Sequence, residues 1–108
     1  MKKLLMVALL VFPTTAFAGF YDGAALLEYC LRTANRPDDF CSAYVAGVID
    51  TLGDQGWLEC VGDRTPKLGE VTRVVARYLV DHPERLDAPA ETLVKTAFRE
   101  AFCSEKLP

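Results

Sequence analysis

Four cysteines in so short a chain constrain its fold more than any other feature of the sequence. Cys30, Cys41, Cys60 and Cys103 all lie beyond an N-terminal leader in a chain of 108 residues. In that leader MKK is a basic start, LLMVALLVF an apolar run and Ala16-Phe17-Ala18 an A-x-A cleavage site, the layout of a secretory signal peptide. The apolar run is too short to span a bilayer, so the expectation for residues 1–18 is cleavage and export. No cysteine stands immediately after the site, which argues against a lipid anchor, and no later segment has the apolar length to cross a membrane. Taking the first eighteen of the 108 residues away leaves 90, a single domain over 19–108. A core of that size is marginal alone, and an even cysteine count in an oxidising compartment predicts two disulfides.

Without Lys2 and Lys3 the chain carries 10 basic against 15 acidic residues, a formal −5. No basic patch with interleaved aromatics occurs, which argues against nucleic acid. A mildly acidic export product is suited to protein partners, basic ones among them, rather than to polyanions.

Four amphipathic segments follow. The first spans about Asp22 to Ala34, with Leu26, Leu27, Cys30, Leu31 and Ala34 on one face, and Asn35-Arg36-Pro37 ends it. Asp38 or Asp39 caps the second, which runs to about Leu58, with Gly53 and Gly56 near its end. Its stripe is Cys41, Tyr44, Val45, Val48, Ile49 and Leu52, at helical spacing. Residues 59–66 read as a loop. The third helix covers about Lys67 to Asp81, with Leu68, Val71, Val75, Tyr78 and Leu79 in register, and His82-Pro83 stops it. The fourth, from Asp87 or Ala88 to Cys103, has Pro89 in its first turn and buries Leu93 or Val94, Ala97, Phe98, Ala101 and Phe102. No segment alternates with period two for long, so the fold class is all-α: a small four-helix bundle stapled by two disulfides.

Four cysteines allow three pairings. In an up-down-up-down bundle Cys30 and Cys41 flank the first break and come level, while Cys60 and Cys103 meet at the opposite pole. The other pairings would join opposite poles, beyond the reach of a disulfide. The expected bridges are therefore Cys30–Cys41 and Cys60–Cys103.

Opposite the second helix's stripe gather Ala43, Gly47, Asp50 and Asp54, with Ala46 at the margin. This face is either a small, acidic surface in solvent or the contact face of a second subunit or partner helix, and the pattern alone leaves both open.

Catalytic chemistry finds little support. Bridged cysteines supply no thiolate. The one histidine, His82, ends a helix, where it meets the helix dipole in a structural role. G-x-S-x-G, H-E-x-x-H and C-x-x-C are absent from the sequence, and widely spaced cysteines with one histidine make a poor metal site. Asp38-Asp39 and Glu84 with Asp87 read as helix starts and loop charge. The expectation is a non-enzyme with no cofactor. A binding role needs a rigidly held exposed feature, and WLECVGDRTPK, residues 57–67, pinned by Cys60, fits best. Trp57 and Arg64 are residue types that often carry interface energy, beside Asp63 in the Gly62-Asp63 turn. Trp57 either anchors a partner or plugs the base of the bundle, which makes Asp63-Arg64 the cleaner choice of contact. HPERLDAP, residues 82–89, is a second candidate or a plain connector.

The order FC-x-x-Y-x-x-G-x-x-D, C-x-G-D-x-T-P, V-x-R-V-V-A-R-Y-L-x-x-H-P-E-R-L and A-F-R-E-A-F-C, from Phe40 to Cys103, resembles the Rap/Tai immunity family. That resemblance implies a helical periplasmic protein, often a homodimer, that protects a bacterium against peptidoglycan-cleaving amidase effectors of type VI secretion. It would bind a papain-like cysteine–histidine peptidase and block its cleft without performing a reaction. The segment after the second helix departs from the family, in which cysteine-x-proline is frequent; here Cys60-Val61-Gly62 comes first and Pro66 later. No contact residue carries over. The competing reading is a disulfide-stapled periplasmic acid-stress chaperone, whose carboxylates would neutralise at low pH.

Overall fold

A computed structural model describes residues 19–32 and 39–103, the side chains of Trp57 and Leu58 excepted. The expected signal peptide, the Asn35-Arg36-Pro37 break, Ala34 and Asp38 lie outside the described residues. Within them are four α-helices: α1 (Gly23–Arg32), α2 (Phe40–Asp54), α3 (Leu68–Asp81) and α4 (Ala90–Phe102). Short 3₁₀ helices fill two connections, Trp57–Val61 and Pro83–Arg85. Both disulfides have the expected partners, with Cα–Cα separations of 4.9 Å for Cys30–Cys41 and 5.2 Å for Cys60–Cys103.

Helix starts follow local chemistry. The Asp39 carboxylate accepts from the Ser42 backbone N–H at 2.7 Å, so Asp39 caps α2. The Asp22 carboxylate does the same for Ala25 at 2.9 Å at the head of α1. α2 stops at Asp54, short of the expected Leu58, because Gly56 turns left-handed (φ 80°), a conformation glycine adopts at little cost. The chain then tightens into the 3₁₀ helix, so the connecting loop begins at Gly62 rather than at residue 59.

Pro89 lies before the first turn of α4, not in it. Its extended backbone pairs with Asp22 in an isolated antiparallel bridge, and the Ala90 N–H donates to the Tyr21 carbonyl at 2.9 Å. In return the Gly23 and Ala24 N–H groups donate to the Ala88 and Leu86 carbonyls, both at 2.9 Å. The starts of α1 and α4 thus satisfy each other's free amides. A side chain at Gly23 has no room: a Cβ there would land on Leu93 Cδ1 and lie 3.0 Å from Leu86 Cα.

This clasp sets the layout. α2 and α4 run parallel and α3 antiparallel, each of the three packing against the other two, so Cys60, just past α2, and Cys103, just past α4, meet at the trailing end. α1 departs from the expected up-down rods. Its start touches the start of α4, and Tyr21 and Tyr29 set their rings 5.0 and 4.2 Å from Phe40 at the start of α2. Ten helical residues cover only about 15 Å, so α1 lies across the leading end of the other three helices.

The core is Leu26 and Cys30 from α1, Cys41, Val45 and Leu52 from α2, Val71, Val75, Tyr78 and Leu79 from α3, and Leu93, Val94, Ala97 and Phe98 from α4. Three residues expected inside are exposed. Leu31 (63%) falls on the outer side of the crosswise α1, Leu68 (42%) opens α3 beyond the core, and Ala101 sits on the outer side of the last turn of α4.

Candidate functional site

The 62–67 loop starts from a fixed point. Cys60 is bonded to Cys103, and Gly62 closes the 3₁₀ helix at φ 74° and ψ −141°, a backbone glycine tolerates. From there Asp63 and Arg64 project into solvent. Arg64 Nη2 donates to Glu70 Oε2 at 2.8 Å, tying the loop to the first turn of α3. Arg64 is largely exposed and Glu70 about one third so, and such a pair holds position more than it stabilises the fold.

Below the loop is a groove of about 370 Å³. Ala46, Ile49 and Asp50 of α2 form one wall, and Val61, Gly62, Thr65 and Pro66 the next. Leu68 and Val71 of α3 close the far side, with Phe98 of α4 also lining it. Its lining is mostly aliphatic and aromatic, with Asp50 as the charged member.

The small and acidic residues expected on one face of α2 are all exposed. Ala43 and Gly47 line a different groove, of about 380 Å³, which Glu91 and Lys95 of α4 border. Asp50 faces the loop groove, and Asp54 is exposed one turn further along α2. At positions i, i+4, i+7 and i+11 the four residues share one exposed ridge of α2, with a groove on either side of it. A Cβ at Gly47 would meet nothing within 4 Å, so no part of this chain requires glycine there. The backbone of Trp57 opens the 3₁₀ helix, and its side chain lies outside the described residues.

His82 sits at the end of α3. Its Nδ1–H donates to the Tyr78 carbonyl at 2.8 Å and its ring stacks on Tyr78 with centroids 4.0 Å apart. Arg85 in turn donates to the Tyr78 hydroxyl at 2.6 Å, so the His82–Arg85 segment is fastened to the helix it follows. In the first turns of α2 Tyr44 is half-buried. Burial first, and the Glu91 carboxylate second, hold its phenol above the usual value, against the Glu91 backbone N–H that bonds to it. Among the described residues no three His, Cys, Asp or Glu side chains gather in a metal-binding arrangement, and no helix is long and apolar enough to cross a membrane.

The periodicity pointed to Ile49 and Phe98 only as core, and their part in the groove was missed. The one sequence signal for it is a run from residue 37 to 63 that holds six acidic residues and no lysine or arginine.

No curated protein and no solved structure gives a significant match to the chain. The family model of the Rap1a immunity proteins matches residues 22–103. That span runs from the capping aspartate of α1 to the last cysteine and takes in all four helices and both disulfides. The chain belongs to the Rap1a immunity protein family.

Proposed function

We propose that the exported chain acts in the periplasm as an immunity protein that binds a peptidoglycan amidase delivered by type VI secretion and blocks its cleft. The observation that carries this reading is the family match across the whole helical domain. The architecture supports it. A loop anchored by Cys60–Cys103 and tied by Arg64–Glu70 stands beside an open apolar groove. A surface held ready in this way loses little freedom on binding, which favours tight association. Contiguous apolar surface beside an exposed loop is also what protein interfaces use.

The test is direct. Candidate effectors encoded beside this gene are exported to the periplasm of a sensitive host with and without the chain. The expected result is rescue of growth, a stoichiometric complex on gel filtration, and loss of peptidoglycan cleavage by the purified effector. Failure of every neighbouring toxin candidate to bind or to be neutralised refutes the reading. Sedimentation of the mature chain alone tests the homodimer that the resemblance implies.

A further inference from the structure

We propose that the groove beneath the 62–66 loop receives one apolar side chain that the partner presents next to lysine or arginine residues. This rests on the reading of the chain as a binding protein and adds the chemistry of the segment it binds.

The groove itself points to an apolar anchor. Ile49, Val61, Pro66, Val71 and Phe98 surround it, and Leu68 at its edge is 42% exposed. About 370 Å³ has room for one large aliphatic or aromatic side chain. The loop wall is set in place by the disulfide, so filling the groove needs little ordering of this chain.

The surroundings supply the charge preference. Asp50 lines the groove, Asp63 follows the lining Gly62, Asp54 stands one turn along α2, and Glu59 precedes Val61 by two residues. All four are exposed. The guanidinium of the loop itself, Arg64, is held by Glu70 at 2.8 Å, and Lys67 stands at the far end of the loop, at the head of α3. The field at the mouth is negative. It draws a basic segment in and sets like charges against an acidic one.

A second copy of the chain fits less well. Phe20, 88% exposed, is followed two residues later by Asp22 and lies over a surface that Asp22 and Asp87 line. Arg32, beside the exposed Leu31, is already paired with Glu28 at 2.6 Å. Val80 has Arg77 one turn before it, but seating α3 in another copy's groove is a head-to-tail contact, which propagates into chains unless the rotation closes a ring.

The experiment uses the mature disulfide-bonded protein and three ten-residue peptides: leucine flanked by lysines, leucine flanked by glutamates, and serine flanked by lysines. Titrations are followed by NMR of the methyl groups. The expected result is saturable shifts of Ala46, Ile49, Val61 and Val71 with the lysine–leucine peptide. Binding of the other two peptides should be at least about tenfold weaker. Asp50→Lys with Asp63→Lys should reverse the order of the two leucine peptides. Thr65→Trp, an exposed position at the groove wall, should abolish the shifts while leaving the fold intact by circular dichroism. No saturable shift at millimolar peptide overturns the proposal, as does equal binding of the two leucine peptides or a ranking unchanged in the charge-reversed protein. The same methyl shifts appearing with protein concentration alone would assign the groove to a second copy. Shifts caused by deleting residues 104–108 would assign it to the chain's own end, and either outcome overturns the proposal. If an effector is captured and neutralised equally by wild type, the charge-reversed protein and Thr65→Trp, the groove assignment fails and the immunity reading stands.

Discussion

Replacing Gly23 with alanine tests the clasp between α1 and α4, and the structure fixes both sign and size. The new methyl would collide with Leu93 Cδ1 and approach Leu86 Cα to 3.0 Å and the Leu86 carbonyl oxygen to 3.1 Å. Leu93 cannot swing away freely, because it is 3% exposed and packed in the core. The Leu86 backbone cannot yield either without loosening the Gly23–Ala88 and Ala24–Leu86 hydrogen bonds. Overpacking of this kind costs roughly 1–3 kcal/mol, and each weakened hydrogen bond removes up to about 1 kcal/mol more. Against this, alanine in place of glycine recovers at most about 1 kcal/mol of helix propensity, and less in a first turn. The net expectation is a loss of about 2 kcal/mol, or roughly 8–16 °C in melting temperature for a domain of this size. Gly47→Ala is the control. Its Cβ meets nothing within 4 Å on an exposed helical face, so it should raise stability by about 0.5–1 kcal/mol. Urea denaturation of the mature, oxidised proteins reads both. A Gly23→Ala protein as stable as wild type, with an unchanged denaturant slope, would refute the close approach of the two helix starts.

The two bridges should differ in worth. With sequence separations of 43 and 11 residues, loop entropy gives about 4 kcal/mol for Cys60–Cys103 and about 3 kcal/mol for Cys30–Cys41. Paired Cys→Ser variants in urea should rank in that order, and the reverse order would show that strain or residual structure outweighs chain entropy. Tyr44 makes alkaline stability measurable. Its phenol pKa is raised in the folded chain, so its contribution is complete below the unfolded value near 10 and is lost as pH climbs through the folded value. Tyr44→Phe should therefore flatten the fall in stability above pH 10, and unchanged steepness would show that Tyr44 is not its source. Arg64→Ala removes an ion pair whose side chains are 74% and 35% exposed, so the melting free energy should move by less than about 1 kcal/mol. A larger change would mean that the loop is part of the cooperative core.

Much of the fold was legible because its determinants are local. Asp39 capping α2, His82-Pro83 ending α3 and the stripe from Cys41 to Leu52 each act within a turn or two of chain. The disulfide partners were legible for a related reason: they depend only on which helix ends share a pole. The position of α1 was not legible. A helical stripe shows that one side is buried, but not what covers it. The crosswise placement comes from Tyr21, a residue outside every predicted helix, whose carbonyl caps α4 and whose ring meets Phe40. Leu31 was expected inside for the same reason. The site divides in the same way. The exposure of Asp63 and Arg64 follows from turn chemistry, whereas the groove draws side chains from α2, the loop, α3 and α4, and no short window of sequence holds that juxtaposition.

Both ends of the bundle carry a disulfide, but what surrounds each bond differs, and that difference bears on where a partner can bind. At the leading end α1 lies across the helix starts, the amides of α1 and α4 satisfy each other, and the rings of Tyr21, Tyr29, Phe40 and Tyr44 pack together. The helix starts are covered there, while Phe20, Leu31 and Val80 stay exposed around them as separate side chains rather than a lined groove. At the trailing end the chain between α2 and α3 includes Gly56 and Gly62 at positive φ and a short 3₁₀ helix, irregular backbone of which Cys60 and Val61 pack against the core. Noncovalent contacts alone would leave such a segment among the first to open. The Cys60–Cys103 bond instead fixes it to the end of α4. This covalent link therefore stands beside the open apolar groove, so the exposed surface keeps one shape without being buried. A protein whose work is to meet another protein's surface needs both properties at one place.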